Sequence, residues 1–229
     1  MSKNLLKRFI TSIILLSILL MVTFSNKFIF IFSILILSIF VCYEVNNIYS
    51  RILYPHTLKK IAILKKFNLN FFILNLITFF YVFFIFCNFS YEIYRLKSPP
   101  FFLYVVFVCF FTDIGGYMFG KVIGGKKLTK ISPNKTISGS IGSFIFSIIP
   151  LILFSNLGYL DLEINQNNIV FCLLISTTSQ LGDLFVSYLK RKAKIKDTGK
   201  ILPGHGGLLD RVDGILFAVP FSYFLLKLI

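Results

Sequence analysis

Seven apolar runs set the solvent in which this chain folds, and every other feature has to fit around them. They cover roughly 9–25, 28–45, 70–89, 101–119, 139–157, 169–188 and 212–229. A hydrocarbon core about 30 Å thick is crossed by about 20 helical residues. Backbone groups inside lipid must find their hydrogen bonds within the segment, which a helix provides. The runs therefore predict an all-α, polytopic integral membrane protein with about seven transmembrane helices. Hydrophobic residues make up 56% of the chain, against about 45–50% in a soluble domain, and the excess lies in these runs. Only Asn26 and Lys27 divide the first two, which predicts a tight helical hairpin. Lys3, Lys7 and Arg8 precede the first run as they would in a signal peptide. No small-residue cleavage site follows and a second apolar run begins at once, so the first run is read as a span. Pro220 in the last run is tolerable in a membrane helix.

Charge orients the spans. The N-terminal stretch and the loops 46–69, 120–138 and 189–211 hold twenty of the 24 Lys and Arg, and alternation of seven spans puts all four on one side. The opposite loops hold only Lys27, Arg95 and Lys97 beside Glu92, Asp161 and Glu163. The positive-inside rule then places the basic loops in the cytoplasm. In a soluble protein a net charge of +15 would suggest nucleic acid. Here topology accounts for it, and no nucleic-acid partner is expected. The same cations suit anionic lipid headgroups and nucleotide phosphates. Cys42, Cys87, Cys109 and Cys172 all sit in apolar runs without metal-ligand spacing, and are read as small core residues.

The acids are few, nine in all, and five of them (Asp113, Asp183, Asp197, Asp210, Asp213) lie in or beside the basic loops of the second half. Asp113 and Asp183 fall inside apolar runs, each about six residues before the cytoplasmic end, or roughly 9 Å deep. A carboxylate there is costly unless it is paired or faces a polar cavity, so each is a functional candidate. Asp210 and Asp213 stand three residues apart at the start of the last span, on one helix face. Two readings stay open for them, ligation of a hard cation such as Mg²⁺ and a favourable charge arrangement in a first turn.

Two basic loops carry glycine. The 120–138 loop has Gly120, Gly124 and Gly125 among lysines, followed by Ser132, Pro133, Lys135 and Thr136. It is not a Walker A motif, and by spacing it is as much an ordinary loop as a phosphate cradle. The 189–211 loop runs from Lys190 and Arg191 through Lys196 and Asp197 to Pro203, Gly204, His205, Gly206, Gly207, Asp210 and Arg211. Cations interleaved with carboxylates are what a metal–triphosphate site needs. His205 reads either as a general base or phosphate donor, or as a turn residue between glycines.

The ungapped stretch from Ser187 to Asp213 resembles the signature of phosphatidate cytidylyltransferases (CDP-diacylglycerol synthases). Its fixed positions include Lys190, Arg191, Lys196, Asp197, Thr198, Gly199, Pro203, Gly204, His205, Gly206, Gly207, Asp210, Arg211 and Asp213. Flanking elements resemble the same family: Asp113, Tyr117, Gly120 and Lys121; Gly125, Lys127, Leu128, Ser132, Pro133, Lys135, Thr136 and Gly139; and Ser179, Gln180, Gly182 and Asp183. The resemblance covers about 110–214. One departure stands out: Ser138 occupies a position where the family carries an acid, and Ser143 follows Gly142 where a glycine pair is common. The chain is also shorter than many relatives, so one or two N-terminal spans are expected to be missing.

The resemblance implies that CTP and phosphatidic acid give CDP-diacylglycerol and pyrophosphate, with Mg²⁺ as cofactor. It implies residues 1–100 as N-terminal spans and 101–229 as the catalytic region. Asp183 and Asp210 are the expected metal ligands, with Asp113 and Asp213 as further catalytic acids. Lys190, Arg191, Lys196, Asp197, His205 and Arg211 are expected to bind substrate, and Ser132, Lys135 and Thr136 to close the site. The expected partners are CTP, phosphatidic acid and membrane lipids. A homodimer is left open. The expected location is a bacterial inner membrane with the site facing the cytoplasm. A CTP-dependent lipid-alcohol kinase and a transporter are the competing readings. The long signature argues against the first. The absence of a repeat and the placement of the acids near one face argue against the second.

Overall fold

The computed structural model describes residues 3–54, 68–96, 98–129, 131–158, 160, 162–199, 201–202 and 206–228, with side chains from residue 9 onward. Each apolar run is helical: α1 Lys3–Thr23, α2 Lys27–Leu53, α3 Leu69–Leu96, α4 Pro99–Val122, α5 Ile137–Leu157, α6 Gln166–Lys192 and α7 Leu209–Leu228. Among the described residues there is no strand, only two isolated bridges. Five helices, α2 to α6, are long and apolar enough to cross a membrane. The apolar part of α1, Phe9–Thr23, is shorter. In α7, Asp210, Arg211 and Asp213 occupy the opening turns. The chain is thus the all-α polytopic membrane protein that its apolar runs predict.

Local chemistry explains the irregularities. In α5, Pro150 lacks an amide hydrogen and crowds the preceding turn, and the helix is interrupted at Ile148. In α3 a π-helical segment runs over Tyr81–Phe86. Pro220 lies inside α7 without ending it. The cysteines form no disulfide.

The helices outrun the apolar runs. α2 continues past residue 45 to Leu53, α4 past 119 to Val122, and α6 past 188 to Lys192. The long methylene stems of Lys121 and Lys192, both exposed, let a helix continue while the ammonium reaches water. Asp113 and Asp183 each stand nine residues from the end of their helix (122 − 113 and 192 − 183), or about 13 Å rather than 9 Å. Glu44 has the same register in α2 (53 − 44).

The chain divides into two compact units, one of residues 1–88 with 188–212, the other of 89–187 with 213–229. In the second unit α4 and α5 cross on bare backbone. A Cβ on Gly139 would stand 2.8 Å from the Gly116 carbonyl oxygen, and one on Gly116 would stand 2.7 Å from Ser143 Oγ. A Cβ on Gly142 would fall 2.5 Å from Phe119 Cβ. Membrane helices gain little from apolar burial against each other, and small residues let them gain close van der Waals contact instead. Ser143 Oγ donates to the Thr112 carbonyl across this crossing at 2.8 Å. A second close approach joins α6 to α7, where a Cβ on Gly182 would meet the Asp213 carbonyl at 2.8 Å.

Gly142→Ala is expected to force Phe119 aside, at about 1–3 kcal/mol for an overpacked site. The thermal midpoint of the protein in detergent should fall accordingly. An unchanged midpoint would show that the two helices do not meet at Gly142.

Candidate active site

The second unit holds a cavity of about 320 Å³ lined by Asp113, Tyr117, Ser132, Asn134, Lys135, Thr136, Ser140, Gln180 and Asp183, among others. Four pieces of chain build it. α4 supplies Asp113, α6 supplies Gln180 and Asp183, the start of α5 supplies Ser140, and the connection between α4 and α5 supplies Ser132, Lys135 and Thr136. Glycine packing brings α4 against α5 here, with Gly116 and Gly139 in the cavity wall. The Lys135 ammonium pairs with the Asp183 carboxylate, each side chain 27% exposed. Asp183 Oδ1 also accepts from Ser187 Oγ at 3.3 Å. Ser140 Oγ donates to Gln180 Oε1 at 2.6 Å.

The connection that carries Lys135 is a closed hairpin. Leu128 N donates to the Lys135 carbonyl at 2.8 Å and Ile137 N to the Lys126 carbonyl at 3.0 Å. Gly124 and Gly125 turn it with φ of +64° and +102°, a backbone that side chains disfavour. Thr136 then caps α5, its Oγ1 accepting from Gly139 N at 3.1 Å. Ser138 donates to the Gly124 carbonyl and contacts Thr136 Oγ1 at 3.0 Å. An ionised acid at this position has no proton for that carbonyl, so the serine gives this loop a closure that a carboxylate would not.

The first unit holds the other polar cluster. Asp210, in the first turn of α7, accepts four hydrogen bonds: from Lys190 Nζ at 2.7 Å, Thr198 N at 2.8 Å, Thr198 Oγ1 at 3.1 Å and Gly207 N at 3.1 Å. Lys190 and Asp210 are 14% and 9% exposed. The segment between them is drawn together where Leu202 and Gly206 exchange backbone hydrogen bonds at 2.9 and 3.1 Å. Gly206 has φ of +92°.

The remaining expected residues divide by exposure. Arg191, Lys196, Asp197 and Arg211 are exposed. Asp213 is buried, its Oδ1 accepting from Gly214 N at 2.9 Å, and it does not line the cavity. His205, with Pro203 and Gly204, lies outside the described residues. The cavity therefore gathers Asp113, Asp183, Ser132, Lys135 and Thr136, and the cluster on α7 gathers Asp210 and Lys190. Among the described residues no group of three or more His, Cys, Asp and Glu is disposed to hold a metal.

One acid escaped the sequence reading. Glu44 on α2 is 1% exposed. It accepts from Thr198 Oγ1 at 2.6 Å, Leu208 N at 3.0 Å and Leu209 N at 2.9 Å. Its signal was the one that singled out Asp113 and Asp183, an ionisable residue in an apolar helix. It stood one place from the end of its run, which made it read as a boundary.

Residues 48–229 match the model of the cytidylyltransferase family. The chain is 44% identical over 126 residues to a Bacillus subtilis (strain 168) protein named phosphatidate cytidylyltransferase, covering 55% of this chain and 46% of that one. Proteins of the same name from Staphylococcus haemolyticus and Staphylococcus aureus (strain COL) are 42% and 43% identical over 135 residues, 58% of this chain and 51% of theirs. The matched stretch spans about half the length of these curated relatives.

The two lysine–aspartate pairs should respond differently to loss of the lysine. Lys135→Met opens a pair already in contact with water, and the thermal midpoint should move by no more than about 1 kcal/mol implies. Lys190→Met leaves a buried carboxylate without its counter-charge, a loss approaching 3–5 kcal/mol in fully buried pairs and eased here by three remaining donors. Comparison of the two melting curves checks this, and a larger drop for Lys135→Met would reverse the assignment.

Proposed function

The chain belongs to the cytidylyltransferase family, and we propose that it transfers the cytidylyl group of CTP to phosphatidic acid, forming CDP-diacylglycerol and releasing pyrophosphate. The observation that carries this reading is the cavity in the second unit. Two carboxylates, an ammonium and several hydroxyl and amide groups converge there among apolar membrane helices. A purely structural bundle has no need of such a set. An anionic lipid headgroup and a nucleotide phosphate both call for it.

The reaction is an in-line displacement. An oxygen of the lipid phosphate attacks the α-phosphorus of CTP, a new P–O bond forms, and the bond to the bridging oxygen breaks. That electron pair leaves with pyrophosphate. No covalent intermediate on the protein is required, so positioning and charge neutralisation carry the catalysis. Lys135 neutralises phosphate charge when it exchanges Asp183 for a substrate oxygen. Ser132 and Thr136 offer hydroxyl donors at the cavity wall. Lys190, Arg191, Lys196 and Arg211 neutralise phosphate charge, and His205 belongs to the same loop.

The donor chemistry fits Mg²⁺. Asp113 and Asp183 present hard oxygens to one cavity, and Mg²⁺ usually takes one or two carboxylates with substrate phosphates and water. Bound there, it would stabilise charge on the transferring phosphoryl group. Asp210, the other expected ligand, has both oxygens engaged by protein donors. Its service as a ligand requires that Lys190 first turn to a phosphate. This reading puts the chemistry at the cytoplasmic face of a bacterial inner membrane, and the concentration of Lys and Arg in the loops 120–138 and 189–211 supports it.

Pyrophosphate release by the detergent-purified protein tests the reading. Release should require CTP, phosphatidic acid and Mg²⁺ together. Asp183→Asn and Asp210→Asn should each reduce it by at least about 100-fold, the scale of lost electrostatic stabilisation, with membrane insertion intact. Phosphorylation of a lipid alcohol at the expense of CTP, without pyrophosphate, would transfer the assignment to a lipid kinase.

A further inference from the structure

Glu44 lies about 150 residues before the basic signature loop, yet its carboxylate is the point on which that loop is folded. A carboxylate 1% exposed costs several kcal/mol unless donors surround it. Here the donors come from the loop and the start of α7. Thr198 Oγ1 donates to Oε2 at 2.6 Å, Leu209 N to Oε2 at 2.9 Å and Leu208 N to Oε1 at 3.0 Å. The two amides belong to the N-terminal end of α7, whose first donors have no partner within the helix, so Glu44 caps α7 from another helix.

Two glycines of the signature follow from this contact. A Cβ on Gly199 would stand 2.5 Å from Glu44 Oε1, and one on Gly207 would stand 2.5 Å from Oε2. Neither glycine has a left-handed backbone, so conformational freedom does not explain them. Gly199 is bare because the carboxylate lies against it, and Gly207 because the Thr198 hydroxyl, itself held by Glu44, and the carboxylate both do. Thr198 links this contact to the site, since its N and Oγ1 also donate toward Asp210 Oδ2 at 2.8 and 3.1 Å. A hydroxyl has one proton, shared here between two carboxylates, and the shorter contact is to Glu44, so Glu44 sets the rotamer in which Thr198 meets Asp210.

We infer that Glu44 is a positioning residue of the proposed reaction, holding Thr198, Leu208 and Leu209 so that Asp210 and Lys190 keep their places. The catalytic part of this inference rests on the cytidylyltransferase reading. The structural part stands on the contacts alone.

The test uses the full chain in detergent and the isosteric variant Glu44→Gln, which turns a donor toward groups that are themselves donors. Hydrogen exchange of the Thr198, Gly207, Leu208 and Leu209 amides should quicken roughly 10- to 100-fold, the loss of a charge-assisted hydrogen bond, while exchange in Pro99–Val122 stays as it was. Pyrophosphate release per folded molecule should fall about tenfold or more on the same scale, with elution and melting close to wild type. Thr198→Val should slow release comparably, and the double variant should be no slower than the worse single, because the two act as one unit. Glu44→Asp, which keeps both acceptors, should recover part of the loss. Unchanged exchange at these amides, or faster exchange with full turnover, would overturn the inference. Additive losses in the double variant would overturn the route through Thr198. A wild-type protein that releases no pyrophosphate would sink the reaction alone, because the exchange comparison still decides whether Glu44 holds these residues.

Discussion

A carboxylate taken out of water must be surrounded by donors or counter-charges, and most of the specific structure in this chain follows from that requirement. The helices themselves are generic, since any run of Phe, Ile and Leu of this length would form them. What makes the bundle particular is where three acids sit in it. Glu44, Asp113 and Asp183 each stand nine residues from the end of an apolar helix. Each needs polar company at a depth where lipid offers none. Loops that could otherwise have stayed in solvent are drawn in to supply it. Lys135 comes down to Asp183, while Thr198 and the start of α7 come to Glu44.

Glycine serves this arrangement in three ways. At Gly124, Gly125 and Gly206 it permits a positive φ and tightens a turn. At Gly116, Gly139 and Gly142 it lets α4 and α5 approach until backbone meets backbone. That approach holds Asp113 and Ser140 on one cavity. At Gly199 it leaves room for a carboxylate from another helix, and at Gly207 for that carboxylate and the Thr198 hydroxyl. Spacing alone cannot separate these cases, because the surrounding letters are much the same. Only the third dimension shows whether the neighbour of a missing Cβ is empty space, a facing backbone or a charge.

Much of the fold was legible in the amino-acid order because helix formation in lipid is nearly obligatory, so run length sufficed. The ends of the helices were not legible. Hydropathy marks where lipid contact stops, whereas a helix continues until a breaker or a cap ends it. Asn46 and Asn47 closed the second run on paper, yet α2 continues through buried Ile48 and Tyr49 to Leu53. That error of eight residues moved Glu44 from a span's interior to its edge and hid it. Charge at depth singled out Asp113 and Asp183 in the sequence, whereas Ser132, Lys135 and Thr136 rested on the family resemblance alone; all five line one cavity. Asp213 satisfied the motif and the helix spacing, but the close crossing of Gly182 and α7 buries it away from the cavity. Side-chain pairing was beyond reach throughout, because a lysine four methylenes long can choose among several acids.

The pairing itself says something about how such a site works. Asp183 and Asp210 each hold a lysine in the structure. Each pair neutralises a carboxylate that would otherwise be stranded. On the cytidylyltransferase reading, one exchange then serves both charges. A phosphate that attracted the lysine would leave the carboxylate able to meet a cation, the charge that Mg²⁺ would supply if bound there. Neither charge has to be exposed without a partner at any stage, so the desolvation cost of each is met before and after binding. Lys190 is the more buried of the two lysines and its acid retains three other donors. Its exchange therefore disturbs the fold of the loop least when Glu44 continues to hold Thr198 and the start of α7. The buried glutamate and the exchangeable lysine are in this sense complementary: one fixes the backbone so that the other is free to move.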